Sequence, residues 1–224
     1  MRVADADGLA AALRDAGLAG GRPVVVLVGG AGGMDDAAVQ LVADVLAAAV
    51  LPVLGDTGAV VDGGTDAGVM RAAGRAVRDH RAALVGVAAE GTVAPPAGSS
   101  TEDGAPAPER GHTHLLLVPG DEWGDESPWI DRVAAAIADG HPSVTVLANG
   151  GGIAAEDVER GLARGRPVVV LAGTGRLADE IAEGTTPRAT NIARSALTTV
   201  LSVHDLGAVR AAVTAALRPS EGET

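Results

Sequence analysis

Four short glycine-rich stretches are the residues best placed to do chemistry: Gly29-Gly30-Ala31-Gly32-Gly33, Gly63-Gly64-Thr65, Gly150-Gly151-Gly152 and Gly173-Thr174-Gly175-Arg176. Each ends an apolar β-branched run and precedes a segment of helical period. Glycine at such a corner lets backbone N–H groups approach a phosphate, and the helix that follows turns its positive end toward it. Taken singly, a glycine there is as readily a tight turn. Four in one open parallel sheet would share its carboxyl edge, where ligands bind, and point to a pocket for a nucleotide-like or sugar-phosphate ligand.

Side chains near these turns supply the rest. Arg176 opens the segment after the last turn; its fork suits a phosphate, although a surface arginine is the rival reading. Asp179 either orients Arg176 or answers the helix dipole. Glu156, in the first turn after Gly150-Gly151-Gly152, is either such a dipole acid or a carboxylate that takes a ribose hydroxyl or assists base loss. Arg71, Arg75 and Arg78 fall on or near one helix face as solvated charges, and of these only Arg71 is near enough to a glycine turn to reach a phosphate. Within Asp121-Glu122-Trp123-Gly124-Asp125-Glu126, the acids suit ribose hydroxyls or a cation and Trp123 suits stacking on a base; a solvated acidic turn is the alternative. His112 and His114, two apart at a strand entrance, are expected to face one side. They would hold a metal with Asp121, Glu122 or Asp125, or they are ordinary hydrogen-bonded histidines, and no metal site is assigned.

The elements that must position these residues alternate strand and helix. Strands are predicted at Pro23–Val28, Ala59–Asp62, Ala83–Ala88, His114–Val118, Ser143–Ala148, Pro167–Ala172 and Leu197–Val203. Helices are predicted at Asp7–Ala16, Asp36–Ala49, Asp66–Asp79, Ser127–Ala138 with Ser127 as N-cap and Pro128 behind it, Ile153–Arg164, Arg176–Ala182 and Asp205–Leu217. The continuous Val24-Val25-Val26-Leu27-Val28 run implies a strand covered on both faces. The result is an α/β Rossmann-like three-layer domain with a mostly parallel sheet flanked by helices. It spans residues 1–218 as one domain, with a Pro/Gly/Ser-rich loop at 90–111 and a frayed tail at 219–224. Gly21-Arg22-Pro23-Val24-Val25-Val26-Leu27 recurs as Gly165-Arg166-Pro167-Val168-Val169-Val170-Leu171, which reads as two central strands under one packing demand.

Composition removes whole classes of chemistry. The 224 residues contain no Cys, Tyr or Phe, and all 17 basic residues are Arg. Thiol chemistry, Cys-based metal sites, Schiff bases, the Walker A lysine and aromatic platforms for single strands are excluded. A net charge of −12 repels polyanions, so neither nucleic acid nor an anionic membrane is an expected partner, whereas a small anion can still be held by local N–H groups and arginines. No apolar run is expected to reach the roughly 20 residues of a membrane span, and Met1–Asp7 lacks a signal h-region, so the expected home is the cytoplasm.

Gly30-Ala31-Gly32-Gly33 does not complete G-x-G-x-x-G, and no G-x-S-x-G occurs, which disfavours a dinucleotide dehydrogenase and a serine hydrolase. Other motifs carry a resemblance. Leu27-Val28-Gly29-Gly30-Ala31-Gly32, Thr57-Gly58-Ala59-Val60-Val61-Asp62-Gly63-Gly64-Thr65-Asp66-Ala67-Gly68-Val69-Met70-Arg71, His112-Thr113-His114-Leu115-Leu116-Leu117, Asn149-Gly150-Gly151-Gly152 and Pro167–Val170 through Gly173-Thr174-Gly175-Arg176-Leu177-Ala178-Asp179 run in order. Over roughly residues 23–183 this is similar to the N-terminal homology domain of TRPM cation channels, an LSDAT-type member of the SLOG superfamily. LOG phosphoribohydrolases and the Smf/DprA proteins belong there too.

The resemblance implies a stand-alone prokaryotic domain that binds a nucleotide or an NAD-derived metabolite such as ADP-ribose, with no other cofactor required. A homo-oligomer and a further protein partner are expected by the same analogy. LOG enzymes carry P-G-G-x-G-T-x-x-E; here Asn149-Gly150-Gly151-Gly152-Ile153-Ala154-Ala155-Glu156 lacks the Pro and the G-T pair. The expected ligand contacts are Gly29, Gly30, Gly32, Gly63, Gly64, Thr65, Arg71, Trp123, Gly150, Gly151, Gly152, Gly173, Thr174, Gly175, Arg176 and Asp179. The alternative is a hydrolase of a nucleotide N-glycosidic bond with Glu156 as its carboxylate. A scaffold that acts only through protein contacts is the third reading.

Overall fold

The computed structural model describes residues 1–94 and 106–219. Seven strands, β1 (Val24–Gly29), β2 (Ala59–Asp62), β3 (Ala83–Ala89), β4 (His114–Val118), β5 (Ser143–Ala148), β6 (Val168–Ala172) and β7 (Thr198–Ser202), form one sheet in the order β4-β3-β2-β1-β5-β6-β7. Every pair is parallel, so the sheet is wholly and not merely mostly parallel.

Helices α1 (Ala6–Asp15), α5 (Ser127–Ala138), α6 (Gly152–Ala163), α7 (Arg176–Glu183) and α8 (Pro187–Ala193) cover one face; α2 (Asp36–Val45), α3 (Leu51–Leu54), α4 (Gly68–Ala76) and α9 (Leu206–Ala216) cover the other. Alternation along β1 feeds both layers. Val24, Val26 and Val28 join the core under the first face, and Val25 and Leu27 join the second. A strand buried on both sides can be apolar without interruption, which is why the valine run is continuous.

The order places a topological switch beside β1: the chain builds outward from β1 to β4, then α5 carries it back to lay β5 on the other flank of β1. The crevice outside the carboxyl ends of β1 and β5 is where an open sheet of this kind takes a ligand.

Three local features differ from expectation. The N-cap of α5 is Glu126, with Ser127 and Pro128 already inside the first turn. Helix α8 follows the cap of Thr186, whose side chain accepts from Ala189 N, with Pro187 behind it. The second helix runs on from Asp36 to Leu54 through a π turn at Leu46–Val50. Pro52 has no N–H for the Ala48 carbonyl, which instead accepts from Arg210 of α9. At 19 residues and mean hydropathy 2.1 this helix is long and apolar enough to cross a membrane, contrary to the sequence expectation; half of it is buried against the sheet.

The expected loop at 90–111 is described at its two legs. Ala94 N donates to Pro106 O, Asp66 N to Ala107 O and Glu109 N to Gly64 O, so the returning leg lies against the second glycine turn. Residues 95–105, and the expected tail beyond Pro219, lie outside the described residues.

Candidate functional site

A cleft of about 210 Å³ opens at the β1/β5 switch point. Leu27, Val28, Gly29, Gly30 and Ala31 form one side; Gly63, Thr65 and Met70 the second; Trp123, Glu126 and Ile130 the third; and Gly151, Gly152, Ile153, Ala154, Asp157 and Arg176 the last. Of the expected contacts, Gly29, Gly30, Gly63, Thr65, Trp123, Gly151, Gly152 and Arg176 therefore line it. Gly32, Gly64, Arg71, Gly150, Gly173, Thr174, Gly175, Asp179 and Glu156 do not.

The glycine turns differ in what their N–H groups are doing. Asp179 accepts from Gly173 N at 2.5 Å and from Gly175 N at 3.0 Å, so the last turn already holds a carboxylate of its own. Gly64 N donates to Asp62 Oδ1, and Gly150 N to Asn149 Oδ1. Asn149 N in turn donates to Thr174 Oγ1, which makes Thr174 a brace between the third and fourth turns. The first turn serves by closeness: a Cβ on Gly29 would sit 2.2 Å from the Ala148 carbonyl, and one on Gly68 would sit 1.8 Å from the Gly30 carbonyl.

Helix α6 starts at the cleft. Its N-cap is Gly151, without a side-chain cap, and its first turn points Gly152, Ile153 and Ala154 into the cleft. The first N–H groups of a helix have no internal partner, and they attract an anion. Arg176 stands across from them. Its backbone is left-handed at φ +50°, an uncommon conformation for a bulky residue, and its guanidinium donates only to the Gly32 carbonyl at 3.3 Å, with no carboxylate partner among the described residues. The side chain spans the cleft mouth: Cβ atoms built on Gly30 and Gly151 would lie 3.2 and 2.6 Å from its Nη1 and Nη2. Arg71, by contrast, is turned to Asp66 through both its Nε and its Nη2.

The acid of α6 that reaches the cleft is Asp157, beside Glu126 from the start of α5 in the lining, while Glu156 is exposed. Asp157 Oδ1 is sealed from solvent, as is the Ser127 hydroxyl near it. Burial pushes its carboxyl up to about 7, against the pull of the nearby Ser127 hydroxyl and with the help of the Glu126 charge. Sequence reasoning missed this residue, yet a signal was present: counted from Asn149, the final acid of P-G-G-x-G-T-x-x-E falls on Asp157. Glu126 is buried and accepts from Gly124 N, while Asp125 accepts from Asp121 N and Glu122 N, so much of the acidic run caps its own turn. Trp123 remains half exposed at the rim.

The histidines separate. His114 Nε2 meets the Ala16 carbonyl at the end of α1. His112 is buried between two carboxylates, Asp62 at 2.7 Å and Glu109 at 3.0 Å, and precedes β4, whereas Asp121, Glu122 and Asp125 follow it. They do not face one side, because His112 precedes the strand and the two-residue alternation does not reach it. Among the described residues no group of three His, Asp or Glu side chains is arranged to hold a metal ion.

Comparison with known proteins gives the same architecture. The family described as SLOG in TRPM, prokaryote, matches residues 22–212. No curated protein matches the chain. Among solved structures, the molybdenum cofactor carrier protein of Chlamydomonas reinhardtii is similar at 16% identity and TM-score 0.54, over 86% of this chain and 98% of that one. A second structure of that carrier gives 17% identity and TM-score 0.56, over 87% and 98%. The molybdenum cofactor binding protein of the phototrophic bacterium Rippkaea orientalis gives 11% and 0.55, over 86% and 97%. Likeness at this identity is a likeness of fold.

Proposed function

The chain belongs to the family SLOG in TRPM, prokaryote, and from that premise we propose that it binds an ADP-ribose-like or other NAD-derived nucleotide in the β1/β5 cleft. One observation carries the reading: the start of α6, without a side-chain cap, and Arg176, without a carboxylate partner among the described residues, converge on a cleft that Gly29, Gly30 and Gly63 also line. Backbone N–H groups and a guanidinium fork together suit a phosphate or diphosphate. Trp123 at the rim offers a face to a base or ribose. That the solved neighbours are a carrier and a binder of the molybdenum cofactor supports a protein that holds a ligand.

A second reading is a hydrolase of the N-glycosidic bond, and Asp157 is what favours it. A carboxyl poised near neutrality inside the cleft is suited to give or take a proton during base loss. Incubation with NAD, AMP and ADP-ribose, followed by chromatography for free base, separates the two. Intact nucleotide bound and recovered supports the holder. Free base released by wild type and not by Asp157→Asn makes the protein an enzyme.

A further inference from the structure

The two edges of the sheet are treated differently. Along β4 the start of the chain lies beside the strand: the Met1 ammonium donates to Leu115 O at 2.6 Å, Leu117 N to Met1 O at 2.8 Å and Val3 N to Leu117 O at 2.9 Å. Along β7 no described segment does this. An open strand edge is a template for another strand, and proteins blunt it with charge, proline or a covering segment. Thr198-Thr199-Val200-Leu201-Ser202 carries neither charge nor proline.

Alternation along β7 settles which of its groups are open. Val168 N donates to Leu197 O and Val203 N to Ala172 O, so residues 197, 199, 201 and 203 bond across to β6. Thr198, Val200 and Ser202 turn their backbone groups outward. Thr198 N is used locally by Ser195 O, and Ser202 O by Asp205 N. Thr198 O, both backbone groups of Val200 and Ser202 N have no partner among the described residues.

This pattern complements itself. With a second β7 antiparallel and Val200 opposite Val200, the two valines exchange both bonds, and Ser202 N of each chain meets Thr198 O of the other. The engaged groups, Thr198 N and Ser202 O, then face each other. Setting Val200 opposite Thr198 or Ser202 instead matches a free group of Val200 with an engaged one. The same register carries the turn before β7, with Arg194, toward the turn after β7 of the other chain, with Asp205. Both residues are exposed and neither is ion-paired among the described residues, Asp205 capping α9 through Ala208 N. Leu206 starts α9 at that end and is 42% exposed. Of the other large apolar side chains left exposed, Trp123 and Ile153 line the cleft and Met1 lies on the β4 edge.

We propose that the β7 edge is a homodimer interface, two copies of this chain pairing antiparallel about a two-fold axis at Val200 so that the sheet continues from one into the other. A specific interface buries upward of about 1,000 Å²; α8 and α9, which flank β7 on its two faces, are placed to meet their own copies and add to the strand contact. The pairing is independent of what the cleft binds.

Sedimentation equilibrium of the full chain at micromolar concentration should give twice the 22.0 kDa of one chain. Ser202→Pro removes an outward N–H that β6 does not use and should give one chain, while Ser202→Ala keeps that N–H and the dimer. Because the chain has no cysteine, one introduced cysteine can link only to its own copy. Opposed residues of such a pair have Cα atoms about 5.5 Å apart, within disulfide range, so Val200→Cys should cross-link under mild oxidation. Ser202→Cys is more exposed but about 14 Å from its copy along the strand, and should not. A wild type of one chain, a dimer that persists in Ser202→Pro, or cross-linking through Ser202→Cys as strong as through Val200→Cys overturns the proposal. Should Ser202→Pro fail to fold by circular dichroism, the two cysteine variants decide alone.

Discussion

His112 shows how one side chain ties the second glycine turn to the leg that returns from the 90–111 segment. Burial by itself would lower its pKa, but Asp62 and Glu109 outweigh that and raise it to about 9. Because the folded value lies above the unfolded one near 6.5, its contribution is complete below about pH 6.5 and is lost as pH rises through about 9. Thermal melts between pH 7 and 10 should therefore show wild type losing stability on the order of 3 kcal/mol, with His112→Gln flatter and less stable at the neutral end. An equally steep loss in the variant would contradict this role. At this scale legibility was uneven. Arg176 was readable because helix formation does not ask for arginine after a glycine turn. The His112 partners were not: Asp62 and Glu109 lie 50 and 3 residues away, and only the fold brings them to opposite nitrogens.

Strand and helix boundaries were largely legible, because alternating apolar runs with glycine punctuation encode both the element and its end. Ala59–Asp62, His114–Val118 and Ser143–Ala148 come out as expected. What the glycines do at those ends was not legible. Side-chain acceptors such as Asp179 compete for the same N–H groups, and spacing alone does not say which helix start stays open. The recurring Gly-Arg-Pro-Val-Val-Val-Leu stretch carries the same lesson. Both copies lead into buried strands, yet Arg22 bonds only nearby carbonyls, while Arg166 is buried on Asp131 and Ser143. Gly68 supplies the element-scale prediction. A side chain there meets the Gly30 carbonyl in a backbone already at φ +47°, so Gly68→Ala should cost about 2 kcal/mol or more in urea unfolding and should weaken ligand binding by shifting the first turn. A variant as stable as wild type would mean that α4 does not set the position of that turn.

Across the whole molecule, strand order makes the site. Because β5 returns beside β1, the first and third glycine turns become neighbours, and Arg176 can reach over both from α7. The net charge of −12 opposes an anionic ligand at long range, so its binding depends on what lies within a few ångströms of the cleft mouth. Removing the Arg176 guanidinium tests that dependence most directly. In native mass spectrometry of the full chain with ADP-ribose, wild type should retain one intact ligand per chain and Arg176→Ala should lose most of it while keeping its fold by circular dichroism. Wild type without a bound ligand, or a variant that retains it equally, would contradict the assignment of a nucleotide site to this cleft.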